Sequence, residues 1–380
     1  MSGTKRESAE GPVSGKAKRR QEKQRRRDMT ASTDKTAGEK KGPMRFALIG
    51  CGRIAQSHLE AFHNVEESKL AIVVETRAEV GAATAERYHC KAVLDYRDPD
   101  VLKLADAVII CAPPNLHFQM AKYFLDNGKH VLCEKPLTLA SREARELIKL
   151  AESKDLQLMM ASKFRYAEDV IKAKAILQSG ILGNVIMYEN TFCSKVPMQD
   201  RWNAKKEVSG GGVLIDNGCH SVDIARYLLG PVKEIQVQNG IAAQNLDVED
   251  TVRIQFRTHS GVMGMVDLSW SINKESDTYI ALFGSEGTLL IGWSVSKYKQ
   301  DGSSKWVSFG KGYNKVDAFT RQLRNFVGSI RGTEMPLITP QDALASVEAI
   351  ETAYDSAARN KWLPIGSLLG GIVVQPLVNA

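Results

Sequence analysis

The chain has 380 residues, 43% hydrophobic and 25% charged, the proportions of an ordinary globular protein with room for two or three packed domains. Its formal charge of +7 sits at one end: residues 1–44 hold 13 Lys/Arg against 6 Asp/Glu, and the remaining residues hold 38 of each. A neutral body excludes a body-wide basic surface for nucleic acid, and no stretch approaches the roughly 18 apolar residues of a membrane span.

Residues 1–44 carry almost no large apolar side chains, so they cannot bury enough surface to offset their ordering entropy, and a disordered basic tail is expected. Its cluster from Lys18-Arg19-Arg20 to Arg25-Arg26-Arg27 fits a solvated tail, a nuclear address or a polyanion contact; Met29 and Met44 are alternative starts. No apolar run precedes Met44, and no export signal is expected. The six cysteines, Cys51, Cys90, Cys111, Cys133, Cys193 and Cys219, include no C-x-x-C pair. Free thiols in a reducing, cytoplasmic compartment follow, and neither a disulfide framework nor a metal is expected.

The body opens with a short apolar strand over 45–49, then Gly50-Cys51-Gly52-Arg53-Ile54-Ala55, then a helical pattern through Leu59 and Phe62. This is G-x-G-x-x-A between strand and helix, the setting in which it cradles a dinucleotide. Gly50 permits the tight turn, Gly52 lets a pyrophosphate approach the backbone, and Arg53 and Ile54 begin the helix whose N-terminus faces the phosphates. The next strand, 70–74, ends at Glu75, where a carboxylate can bind ribose hydroxyls and repel a 2′-phosphate. That favours NAD over NADP, although Arg77 two residues on could accommodate the extra phosphate.

Alternation continues: a helix over 78–88, a strand over 107–111, a helix over 114–125, a strand over 130–133, a helix over 138–153 and a strand over 156–160. This is the pattern of a parallel doubly wound sheet, with ligand at the carboxyl ends of its strands. Two of those ends lead into Pro113-Pro114-Asn115-Leu116-His117 and Glu134-Lys135-Pro136. From about 163 the pattern changes: a helix over 168–179, strands near 184–193, a helix over 216–229, then strands over 234–237, 251–256, 262–270, 278–283 and 288–293. Adjacent strands without intervening helices predict an antiparallel sheet. Lys274, Glu275 and Asp277 read as a hairpin tip, and helices over 315–331 and 340–359 close this second domain. The domains expected are thus a tail (1–44), a dinucleotide-binding domain (45–162), an α+β substrate and oligomerisation domain (163–365) and a C-terminal extension (366–380) with an apolar run.

Over about 45–365 the chain resembles the Gfo/Idh/MocA oxidoreductases, named for glucose–fructose oxidoreductase, inositol dehydrogenase and a rhizopine-catabolism protein. The motifs are the Gly50–Ala55 loop, Pro113 to His117, Glu134-Lys135-Pro136, Gly210-Gly211-Gly212-Val213-Leu214-Ile215-Asp216-Asn217-Gly218-Cys219-His220, and a β-hairpin at Gly284-Ser285-Glu286-Gly287-Thr288. The resemblance implies a large, mostly antiparallel open sheet whose face supports a homo-oligomer, a dimer or tetramer. It also implies a sugar, cyclitol or sugar nucleotide oxidised at a secondary hydroxyl, and a catalytic trio at Lys135, Asp216 and His220.

The chemistry fits those residue types. Hydride transfer from an alcohol needs a base for the hydroxyl proton and a cation for the developing alkoxide. His220 is read as the base and Lys135 as the alkoxide stabiliser, with Asp216 orienting substrate and favouring the charged form of His220. By the resemblance Arg165 faces the substrate, the alternative being a domain-linker salt bridge; Asp223 could bind a sugar hydroxyl or merely solvate its helix; and Trp202 could stack on nicotinamide or pyranose, or sit in a core. Pro113, Asn115, His117 and Glu134 are candidates to shape the cofactor pocket. Gly210–Gly212 reads as a flexible, sharp turn. Lys195, Arg201, Lys205 and Lys206 make the loop over 193–209 basic, which suits either a solvated loop or an anionic substrate. A non-catalytic NAD- or sugar-binding regulator of the same fold is the alternative, and such a protein has no need of the full trio.

Overall fold

A computed structural model describes residues 42–366. Of the tail expected over 1–44, residues 1–41 lie outside the described residues and Met44 already opens the first strand; the apolar run near the C-terminus also lies outside them.

Six strands, β1 (Met44–Ile49), β2 (Ser68–Val74), β3 (Lys91–Val93), β4 (Ala107–Ile110), β5 (His130–Glu134) and β6 (Leu158–Ala161), form a parallel sheet in the order β3-β2-β1-β4-β5-β6. The central residues of β1, β4, β5 and β6 are fully buried, as continuous apolar runs require when helices cover both faces, whereas the edge strand β3 is not. The strand order reverses beside β1, and there the glycine loop opens. Strand β3 and a short helix, Pro99–Leu104, are additions to the expected pattern.

Nine strands build the second sheet: β7 (Val185–Cys193), β8 (Val232–Asn239), β9 (Thr251–Thr258), β10 (Met263–Ser269), β11 (Thr278–Gly284), β12 (Gly287–Gly292), β13 (Ser296–Gln300), β14 (Val307–Gly310) and β15 (Leu363–Pro364). Their order is β14-β13-β12-β11-β7-β10-β9-β8-β15, antiparallel except where β7 meets β10. The hairpin at Gly284–Gly287 joins β11 to β12 as expected. The hairpin tip expected at Lys274–Asp277 is corrected: β10 and β11 do not pair but flank β7, so this segment crosses over it.

The two late helices do more than close the second domain. Lys315–Arg331 buries Phe319, Leu323 and Phe326 in the core of the first sheet, and Pro340–Arg359 places Ala343 and Val347 there and Ile350 and Ala353 in the second core. Asn314 caps the first helix, and a Thr339–Asp342 capping box starts the second. The chain thus returns to its first domain, a tertiary choice that an amphipathic pattern alone does not reveal. No helix among the described residues is long and apolar enough to cross a membrane.

Candidate active site

A cavity of about 1210 Å³ runs from the glycine loop of the first sheet to residues of β7, β11 and the segments around them. Its nucleotide end is shaped by backbone. Gly50 has φ +89°, and a Cβ there would meet the Cys111 carbonyl oxygen at 3.0 Å, so the turn needs glycine. At Gly52 nothing lies within 4 Å of a would-be Cβ, which leaves the loop open to the cavity. Gly52 also begins the helix Arg53–Phe62, which has no side-chain cap and no acidic residue in its first turn. Its free N–H groups and the open loop fit a pyrophosphate.

Glu75 lies at the end of β2, 6% exposed, and lines the same cavity. Burial works to raise its carboxyl, but hydrogen bonds from the Arg77 side chain and from the Cys51 and Arg77 N–H groups hold it down at about 2. Arg53, Ile54 and Pro113 also line the wall. Asn115 and His117 do not. Asn115 reaches the Glu207 carbonyl at 3.4 Å, while buried His117 touches the Ala112 and Pro136 carbonyls at 2.8 and 2.7 Å. His117 therefore ties together the loops leaving β4 and β5 and shapes the pocket without lining it, and the Asn115 side chain, read as a cofactor-binding candidate, lies off the wall as well. Burial is the main cause that lowers the His117 pKa.

At the other end, Lys135 follows β5 directly. Its Nζ donates to the Asp216 carboxylate at 2.5 Å and to the Asp216 carbonyl at 2.7 Å. Burial opposes the charge on Lys135, but Asp216 outweighs it and the pKa is raised. Glu134 also lines the cavity; it pairs with His58 at 2.8 Å, and stays ionised despite burial through His58 and then Lys135.

Asp216 closes a short helical turn, Val213–Asp216, and His220 lies in the following helix, Gly218–Leu229; both line the cavity. Glu249 fixes that turn by accepting the Gly212 and Leu214 N–H groups at 2.9 and 3.1 Å. The glycine run before it is tightly packed, contrary to the flexibility expected. A Cβ on Gly211 would lie 1.8 Å from the Tyr354 hydroxyl, and one on Gly212 would lie 2.0 Å from the Glu249 carbonyl.

The expected Asp216–His220 coupling is also corrected, because Asp216 is spent on Lys135. His220 sits edge-on to Phe164 at 5.1 Å, and its buried Nδ1 has no hydrogen-bond partner. Burial first, then Lys135 and Lys163, push its pKa well below the usual 6.5. The ring is neutral at pH 7, the state a proton acceptor needs.

Arg165 and Asp223 do not line the cavity. They form a buried ion pair at 2.8 Å, 3% and 0% exposed, with Ser162 and Asp342 as further partners. The geometry matches the salt-bridge alternative for Arg165 and corrects the substrate-binding reading of both: two opposite charges on adjacent elements are satisfied by each other before any ligand arrives. Trp202 lines the cavity and is 43% exposed, outside either core. Of the four basic residues in the 193–209 loop, only Arg201 reaches the wall. Two lysines passed over in the sequence, Lys163 and Lys315, do reach it. Lys163 was marked by its place two residues beyond β6; Lys315 carries no local signal.

A doubly wound sheet with an open, uncapped phosphate loop, joined by one cavity to a second sheet, defines a dinucleotide-dependent oxidoreductase. The chain belongs to the Gfo/Idh/MocA oxidoreductase family: residues 44–162 match its NAD-binding Rossmann fold and residues 170–290 its C-terminal domain. It is 26% identical to inositol 2-dehydrogenase of Rhizobium meliloti, over 85% of this chain and 99% of that one. It is 24% identical to D-glucoside 3-dehydrogenase of Escherichia coli, over 83% and 95%. In fold it is similar to the WlbA dehydrogenase of Bordetella pertussis, solved with NADH and UDP-GlcNAcA, with a TM-score of 0.75 and 21% identity over 86% and 99% of the two chains.

Proposed function

We propose that the protein is an NAD-dependent dehydrogenase that oxidises a secondary hydroxyl of a sugar, cyclitol or sugar nucleotide, with His220 as general base and Lys135 as alkoxide stabiliser. The observation that carries this reading is the meeting of charged Lys135 and neutral His220 in the cavity onto which the glycine loop opens. The relatives' names, inositol and glucoside dehydrogenases, support the substrate class.

The open loop at Gly50 and Gly52, with Arg53, Ile54 and Glu75, would hold the dinucleotide, whose nicotinamide supplies the hydride acceptor when bound. Glu75 would take the adenosine ribose hydroxyls, which favours NAD over NADP. In the reaction, His220 takes the hydroxyl proton while the C–H electron pair leaves as hydride, and the alcohol becomes a ketone. Lys135 keeps its charge beside Asp216 and donates to the oxygen as negative charge develops there. Asp216 positions Lys135 and can accept from a neighbouring substrate hydroxyl. Trp202 offers a flat apolar face to a ring at the rim.

The test is NAD reduction by the purified chain against cyclitols, free sugars, glycosides and sugar nucleotides, with Lys135→Ala alongside. Turnover that falls about 100- to 1,000-fold in the variant, with NAD affinity retained, is the expected result. Protein that binds NAD and sugar but takes no hydride from any of the panel would favour the regulator instead.

A further inference from the structure

Strands β5 and β6 lie side by side with Glu134 paired to Ala161, so two lysines leave the sheet at adjacent strand ends. Lys135 comes directly after β5 and Lys163 two residues after β6, on the 3₁₀ turn Lys163–Tyr166. Both line the cavity, but their surroundings differ. Lys135 has both the carbonyl and the carboxylate of Asp216. Lys163 makes no ion pair with any described residue; its amine stands 5.2 Å from the centre of the Phe164 ring, the ring that also packs on His220. Glu134 attracts Lys163 most strongly, yet that carboxylate is already held by His58.

Lys315 repeats the pattern at the mouth. It is the first residue of the helix Lys315–Arg331, is exposed and lines the cavity, and it too has no ion-pair partner among the described residues. Beyond the lysine that alkoxide stabilisation needs, two more therefore line the cavity without an ion pair to any described residue. Holding the half-buried Lys163 ammonium without an ion-pair partner is costly, and a ligand that brings a counter-charge recovers that cost on binding; exposed Lys315 stays hydrated and adds only a longer-range attraction. Neutral sugars and cyclitols bring no counter-charge.

We propose that Lys163, with Lys315 at the rim, forms an anion-binding subsite beside the reacting carbon, so that the favoured substrate is a sugar acid rather than a neutral sugar or cyclitol. This rests on the dehydrogenase reading above and narrows its substrate class. The carboxylate would accept from the Lys163 amine while the hydroxyl to be oxidised lies between Lys135 and His220. It would also offset the positive field that Lys163 exerts on His220, leaving that ring a stronger proton acceptor with the acid bound than without it.

The experiment is calorimetric titration of the full chain saturated with NAD, using D-glucuronate, D-glucose 6-phosphate and methyl D-glucoside, on wild type, Lys163→Met and Lys163→Arg. Glucuronate should bind about 10- to 100-fold more tightly than the neutral glucoside, the size of a charge-assisted contact. Lys163→Met should abolish that ratio without weakening the glucoside, and Lys163→Arg should restore most of it. Equal affinity for acid and glucoside, a ratio unmoved by Lys163→Met, or no binding of the acid overturns the subsite. Tighter binding of glucose 6-phosphate, lost in Lys163→Met, supports the subsite and overturns the choice of a carboxylate. Hydride transfer is read separately on the same samples. Discrimination without NAD reduction upholds the subsite and removes the dehydrogenase, and reduction with neutral sugars alone does the reverse.

Discussion

The two ends of the cavity are assembled by different means. At the nucleotide end, Glu75 is held by Cys51, 24 residues away, and by its near neighbour Arg77, while the phosphate loop is a property of backbone. At the reacting end, Lys135 meets Asp216 across 81 residues, and its further cations come from the turn after β6 and from a helix that returns late in the chain. Substitutions at the first end should change which dinucleotide is held and how tightly. Substitutions at the second should change rate and substrate choice, because there the charged groups are brought together only by the tertiary fold.

The largest effect that would sharpen this contrast is expected at His220. His220→Asn should lower kcat/KM by about 10²- to 10⁴-fold, the range of a lost general base, and leave NAD affinity unchanged. Because burial, then Lys135 and Lys163, hold the ring's pKa well below 6.5, the wild-type acid limb should lie below pH 6.5. A limb at or above that value, or weakened NAD binding in the variant, would break the division of labour between the two ends.

Next in size is a stability effect. Asp223→Ala leaves the Arg165 guanidinium buried with only Asp342 as an acidic partner, and should cost about 3–5 kcal/mol in denaturant unfolding. Folded variant should retain the wild-type KM, whereas a substrate ligand at Asp223 would raise it.

At the nucleotide end, Glu75→Gln should weaken NAD about 10-fold and narrow the gap to NADP, read by fluorescence titration of each cofactor. The folded carboxyl, held at about 2, lies below its ordinary 4.5. Its contribution to stability is therefore present above pH 4.5 and lost as pH falls toward 2. Glu75→Gln should flatten that part of the acid unfolding profile.

What the sequence made legible follows the same contrast. The parallel sheet, the glycine loop and Glu75 are local signals, since a strand, a tight turn and an uncapped helix follow each other within a few residues. Lys135, Asp216 and His220 were brought out by motifs, but their pairing was not: Asp216 stood four residues from His220, yet the tertiary fold gave it to Lys135. Likewise a salt bridge was legible as one alternative for Arg165, but its partner was not, because neither sequence position reveals that Asp223 is the other half. The reading of Lys274–Asp277 as a hairpin tip failed because strands adjacent along the chain need not be adjacent in a sheet, and here β7 lies between β10 and β11.

The smallest effect expected is graded with pH and bears on the substrate end alone. Burial lowers the Lys163 pKa to about 8; Glu134 and Asp216 oppose this, and Lys135 and Lys315 add to it. The amine is charged at pH 7 and loses its charge as pH rises through 8, so its hold on an anion should weaken over that interval. The ratio of glucuronate to methyl glucoside affinity should therefore be largest near pH 7 and fall several-fold by about pH 9. Lys163→Arg, whose guanidinium stays protonated, should keep the ratio flat across the same range. A decline of equal size in both proteins would assign the titration to another group, and with it the discrimination between acid and neutral sugar.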